Sequence, residues 1–150
     1  MGFVGMKEKT RTIRYPERDG AGDAWCFVGF ESNTKLILSY HLGKRTPIDT
    51  ECFLEKLQAT VSNGRFQMTT DGFKPYPLAV NRVFGNRVDY GQLIKEYGQS
   101  DDDRRYSPPA IVRIDKRVVI GNPNEDRVCT SYVERNNLSI RTCVRRMTRL

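Results

Sequence analysis

The chain has 150 residues, 38% of them apolar and 29% charged, which allows one compact domain with a modest core and excludes wholesale disorder. Lys and Arg number 25 against 18 Asp and Glu, a formal net charge of +7. No apolar run approaches the roughly 18 residues of a membrane span, and no charged-then-apolar leader opens the chain. A membrane protein and a secreted precursor are therefore both poor fits, and a cytoplasmic setting is expected.

Residues 2–6 (Gly-Phe-Val-Gly-Met) form a short apolar run that reads as a first strand. Residues 7–22 are basic and then loop-like, punctuated by Pro16, Asp19, Gly20 and Gly22. Residues 25–30 and 36–42 are β-prone runs separated by Glu31-Ser32-Asn33-Thr34, the composition of a hairpin turn. Three sequential antiparallel strands are expected. His41, the one histidine, falls in the second of these runs, where a strand residue is favoured over a catalytic base. Thr46-Pro47 has the N-cap and first-position chemistry of a helix. Apolar residues at 48, 52, 53 and 57 carry that helix toward Asn63-Gly64.

Residues 66–70 read as the next strand, ending in Asp71-Gly72, and residues 78–84 as a second, shorter helix. A brief strand follows over 87–90. Residues 91–109 read as irregular, with a solvated acidic triplet at Asp101-Asp102-Asp103 and a Pro108-Pro109 pair. Residues 111–120 are β-prone and are closed by Gly121-Asn122-Pro123-Asn124, and residues 131–147 read as an amphipathic helix. The order β-β-β-α-β-α-β…α predicts an α+β or mixed α/β fold whose sheet begins as an antiparallel meander.

Cys26, Cys52, Cys129 and Cys143 form no CxxC pair, and with one histidine a structural zinc site has too few ligands. Four reduced, partly buried thiols are expected. The basic charge is concentrated. Residues 134–150 hold five arginines against the single Glu134, a net of +4 in seventeen residues. The first eighteen residues add Lys7, Lys9, Arg11, Arg14 and Arg18 against Glu8 and Glu17. Arginine-rich faces commonly serve phosphate, because neutralising a nucleic-acid backbone releases counterions. A solvated surface helix has the same composition, so charge alone leaves both readings open.

Two carboxylates stand out by position. Asp71 directly follows a strand and precedes Gly72, the sheet edge at which ligands usually bind. An ordinary turn aspartate gives the same Asp-Gly pair and is by itself the commoner case. Glu134 opens the basic helix, where an acid suits the helix dipole. Arg141 lies seven residues on, about two turns and roughly 10 Å away on the same face. That separation is too long for a salt bridge but suits a metal and an adjacent phosphate. Val133, Leu138 and Ile140 are expected to pack the helix's other surface.

The stretches Thr-Thr-Asp-Gly-Phe-Lys-Pro-Tyr (69–76), Arg-Tyr-Ser-Pro (105–108), Thr-Ser-Tyr-Val-Glu-Arg-Asn-Asn-Leu-Ser-Ile-Arg (130–141) and Arg-Arg-Met-Thr-Arg-Leu (145–150) resemble bacterial insertion-sequence transposases of the D-D-E class. So do Gly-Asp-Ala-Trp (22–25) and Asn-Thr-Lys-Leu (33–36), and the subgroup is that of the smallest insertion sequences. The resemblance covers nearly the whole chain and is most specific around Glu134. It implies a ribonuclease H-like core, a mixed five-stranded sheet flanked by helices, with residues 1–150 forming a single incomplete catalytic-core domain. It also implies that the family's N-terminal DNA-binding region is absent.

By the same resemblance, Asp71 and Glu134 are two of three catalytic carboxylates that hold two divalent ions, Mg²⁺ or Mn²⁺. Lys74, Arg135, Arg141 and Arg145 are the expected DNA-binding residues. Gly2-Phe3-Val4-Gly5-Met6-Lys7 matches the residues that follow the family's first Asp, which places that Asp just ahead of Met1. Asp23 is the nearby substitute, but it falls at the edge of the second strand. The implied activity is DNA end cleavage and strand transfer in transposition, with this chain inactive alone. Its partners would be double-stranded DNA of element ends and target, together with further copies or a full-length transposase, in a nucleoid-associated setting. The rival reading is a non-catalytic DNA-binding or oligomerisation remnant, and a cellular nuclease on the same fold is a weaker third.

Overall fold

Short β-prone runs build an antiparallel meander at the start of the chain. In a computed structural model, which describes residues 2–4, 14, 23–98 and 111–144, strand β1 (Gly2–Val4) pairs with β2 (Asp23–Phe30), and β2 pairs with β3 (Ile37–Gly43). The described elements give a mixed α/β fold and gather into two compact units, residues 1–62 with 131–150 and residues 63–130.

In the first unit the strand order is β1-β2-β3, so β1 ends its sheet among the described residues. Residues 5 and 6 of the expected first strand lie outside the described residues. The turn between β2 and β3 is organised by Glu31. Its carboxylate accepts the backbone N–H groups of Asn33 (2.9 Å) and Thr34 (2.5 Å) and the Thr34 hydroxyl (2.6 Å). Those bonds, led by the Thr34 hydroxyl, hold the Glu31 carboxyl down at about 2.

Helix α1 (Pro47–Gln58) begins where local chemistry expects it. The Thr46 hydroxyl accepts the Asp49 N–H at 3.1 Å, and Pro occupies the first helical position, where a missing N–H costs nothing. The helix buries Thr50, Phe53, Leu54 and Leu57. Phe53 stacks on Phe27 of β2 with ring centroids 5.6 Å apart. A methyl group on Gly29 of β2 would lie 2.7 Å from Leu57 Cδ1, so the Leu57 side chain rests directly on the bare strand backbone there. The helix stops at Gln58, before the expected Asn63-Gly64. Thr60 turns both its N–H (3.0 Å) and its hydroxyl (2.8 Å) to the Leu57 carbonyl three residues back, so three donors, with the Val61 N–H, converge on that one acceptor, and β-branched residues disfavour a further turn.

The second unit is organised around strand β5. Strand β4 (Phe66–Asp71) runs parallel to β5 (Val88–Tyr97), and β5 pairs antiparallel with β6 (Ile111–Ile120). Parallel neighbours need a crossover, and helix α2 (Tyr76–Phe84) followed by a 3₁₀ turn at Gly85–Arg87 supplies it. Strand β5 corrects the sequence reading. It runs ten residues, so residues 91–97 are strand and not irregular. Gly91 and Gln92 are weak strand formers, but partners on both edges supply their backbone hydrogen bonds. The acidic triplet at 101–103 lies outside the described residues. The core of this unit gathers Ala79, Val80, Phe84, Val88, Tyr90, Leu93 and Val128, with Phe66 edge-on to Phe84.

The described strands thus make two three-stranded sheets rather than the single five-stranded sheet that the resemblance implies. Among the described residues no helix is long and apolar enough to cross a membrane.

A polar clasp closes one end of the second sheet. Arg65 grips Asp89 in a two-bonded fork, Nε to Oδ2 at 2.8 Å and Nη2 to Oδ1 at 2.6 Å, and the Asn122 N–H adds a third bond at 2.7 Å. The Arg65 guanidinium first, and the Asn122 N–H second, hold the Asp89 carboxyl down at about 2. Gly121 sits between them at φ +68, and an added methyl would collide with the Asp89 carboxylate. Gly121→Ala should therefore cost about 1–3 kcal/mol, read as a lowered denaturation midpoint. Because the folded value lies below the ordinary 3.8, the contribution of Asp89 is present above that value and is lost as pH falls toward about 2. Urea titrations between pH 5 and pH 2 should show Asp89→Asn declining less with acid than the parent chain.

Candidate active site

The two carboxylates singled out by the sequence occupy the two different units. Asp71 ends β4 and is exposed, opposite Leu93 of β5. Its Oδ1 accepts the Phe73 N–H at 3.2 Å, which turns the chain sharply at Gly72 and sets Lys74, also exposed, three residues beyond it. The strand behind Asp71 is tied down by residues that the sequence reading passed over. Gln92, 3% exposed, donates from Nε2 to the Asp71 carbonyl at 3.1 Å, and the Thr70 hydroxyl meets the Tyr90 hydroxyl at 2.7 Å. Burial pushes the Tyr90 phenol up to about 12, so it stays protonated at any physiological pH. The signal for these residues was weak, because Gln92 lies in the stretch that read as irregular.

Glu134 and Arg135 are exposed in the first turns of helix α3 (Ser131–Cys143), and Arg141 is half-buried near its end. Arg145 lies outside the described residues. The helix packs against β2, and Lys35 Nζ sits 3.7 Å above the Tyr132 ring. Val133, Asn136, Asn137, Ile140 and Arg141 are its half-buried residues, an arc of about 140° on a helical projection. Glu134 falls at the rim of that arc beside Arg141, as their spacing predicts.

One expectation is corrected here. Leu138 does not pack; it is 64% exposed, because it projects about 140° away from Val133. Polar side chains fill the inner arc in its place. Asn136 Nδ2, Asn137 Oδ1 and Arg141 Nε are buried and find no hydrogen-bond partner among the described residues.

Asp23 opens β2 opposite Val4, the strand-edge position expected of it. His41 lies in β3 as expected, and its ring is engaged on both sides. Nε2 is 2.9 Å from Asp49 Oδ1 and Nδ1 is 3.1 Å from Lys56 Nζ. Asp49 also accepts the Thr46 hydroxyl at 2.7 Å, and that bond, ahead of the one from His41, lowers its carboxyl below the ordinary range. His41 is thus a tie between β3 and α1. No disulfide joins the four cysteines, of which Cys26 is buried, Cys52 half-buried, and Cys129 and Cys143 exposed. Among the described residues no three His, Cys, Asp or Glu side chains gather as a metal-ligand group.

No family model matches the chain, and neither a curated protein nor a solved structure is significantly similar to it.

The buried amide of Gln92 yields a prediction. Gln92→Met keeps the volume but leaves the Asp71 carbonyl without its donor, and should cost about 1–3 kcal/mol. Amide exchange at Gly72 and Phe73 should speed up in parallel, reporting a loosened strand end.

Proposed function

We propose that the chain is the catalytic-core region of a D-D-E-type transposase of the smallest insertion sequences, a phosphoryl-transfer protein whose substrate is double-stranded DNA. The observation that carries this reading is Asp71, an exposed carboxylate at the C-terminal end of a strand, with a cationic Lys74 in the same turn. The specific Glu134 segment supports it from the sequence. The element order adds support: an antiparallel meander, a helix, a strand ending in Asp71, and a late helix bearing Glu134. In this reading the strands belong to a ribonuclease H-like core with a mixed five-stranded sheet.

Asp71 and Glu134 are the residues that would hold Mg²⁺ or Mn²⁺, since carboxylate oxygens are the hard donors those ions take. One oxygen of Asp71 is engaged by the Phe73 N–H, which fixes the direction of the carboxylate. Bound divalent ions would supply Lewis-acid polarisation of the scissile phosphate and an activated oxygen nucleophile. The remaining work is positioning and charge stabilisation by the protein. Lys74, Arg135, Arg141 and Arg145 are the phosphate-neutralising groups of the proposal. Arg141 fits that role through its half-buried guanidinium, whose buried Nε lacks an acceptor among the described residues.

The rival reading, a non-catalytic DNA-binding or oligomerisation remnant acting beside a full-length transposase, shares the arginines and discards the metal. It rests on the net charge of +7, which serves both readings alike. Incubation with element-end DNA and Mg²⁺ separates the two, strand cleavage marking an enzyme and binding alone a remnant. For the DNA contacts, filter-binding titrations at several salt concentrations should show Arg141→Ala weakening all sequences alike and flattening the salt slope by about one unit. An unchanged slope would count against a phosphate contact. For the metal, Mn²⁺ should broaden the amide signals of residues 71–74 and of the first turn of α3 together. Either Asp71→Asn or Glu134→Gln should relieve both sets, and relief of one set alone would separate the two carboxylates.

A further inference from the structure

Strand β6 pairs with β5 along one edge, and its other edge meets no strand among the described residues. Ten residues is long for an exposed edge, and this one carries exposed apolar side chains. Ile111 (48%), Ile114 (53%) and Val118 (49%) stand on one face, opposite Tyr97, Lys95 and Gly91 of β5, and Val112 (71%) occupies a bulge. Long edges with apolar side chains are templates for another strand. Bulges at the Val112 and Val119 positions twist the two ends, leaving residues 113–118 in regular register with β5.

The charges on that regular stretch select the partner. Two copies of one edge can join only through a two-fold axis perpendicular to the sheet, which sets residues of like parity opposite one another. An axis through Asp115 opposes Asp115 to itself and Arg113 to Arg117. Axes through Arg113, Lys116 or Arg117 each oppose two cations of the same kind. An axis through Ile114 instead sets Arg113 against Asp115 twice, once on each side of an Ile114–Ile114 contact, with no like charges opposed. Arg113 and Asp115 already meet within one strand, Nε to Oδ1 at 2.7 Å, with both side chains open to solvent (65% and 39%). Strand β3 also ends a sheet, but its residues carry no acidic or basic pair that selects a register.

We infer that β6 is the seam of a symmetric homodimer, antiparallel and centred on Ile114, held by two reciprocal Arg113–Asp115 pairs. The inference lies within residues 63–130 and stands apart from the proposed chemistry. Sedimentation of the 150-residue chain over a range of concentrations should show reversible dimerisation. Arg113→Asp opposes four carboxylates across the seam, and Asp115→Arg opposes four guanidinium groups. Each variant alone should raise the dimer dissociation constant about tenfold or more. An equimolar mixture of the two restores both opposite-charge pairs and should form a heterodimer at least as tight as the parent dimer. A parent chain that stays monomeric throughout, a single variant that dimerises as the parent does, or a mixture that fails to associate would each overturn the seam. Circular dichroism checks that the variants are folded. Should either lose its fold, Ile114→Lys, which puts two ammonium groups on the axis, must give a folded monomer, and a dimer there overturns the inference equally.

Discussion

Backbone pairing along both edges of β5 is the constraint on which residues 63–130 depend. The strand takes a parallel partner on one side and an antiparallel partner on the other, while Val88, Tyr90 and Leu93 sink into the core. A buried peptide group must find a partner, so this one strand fixes where β4 ends and where β6 begins. It also reaches the candidate site directly, through the Gln92 amide on the Asp71 carbonyl and the Tyr90 hydroxyl on Thr70. The exposed carboxylate of Asp71 is therefore mounted on a strand end that cannot drift without breaking buried hydrogen bonds.

The first unit follows a different economy of contacts. Leu57 of α1 rests against the bare backbone at Gly29, and Phe27 and Phe53 complete the packing. His41 then ties β3 to the helix through Asp49 and Lys56. Helix α3 differs from α1 in what it turns inward. Its inner arc carries two asparagines and an arginine with buried polar atoms that lack partners among the described residues. Left unpaired, groups of that kind cost about 1–3 kcal/mol each, which sets this polar arc apart from the apolar face of α1.

Local chemistry was the part of this protein that the sequence determined by itself. The Thr46-Pro47 start of α1, the Glu31–Thr34 turn, the strand ending at Asp71 and the placing of Glu134 beside Arg141 all depend on residues within a turn or two of each other. Capping, turn formation and helical spacing act at that range, which is why the residues alone revealed them. The tertiary structure decided what depends on distant partners. Residues 91–97 became strand because β4 and β6 lie on either side, and Leu138 stayed exposed because Asn136, Asn137 and Ile140 share the face that meets the sheet. The division into two three-stranded sheets was equally out of reach, since a strand's sequence states that it will pair but not with which neighbour.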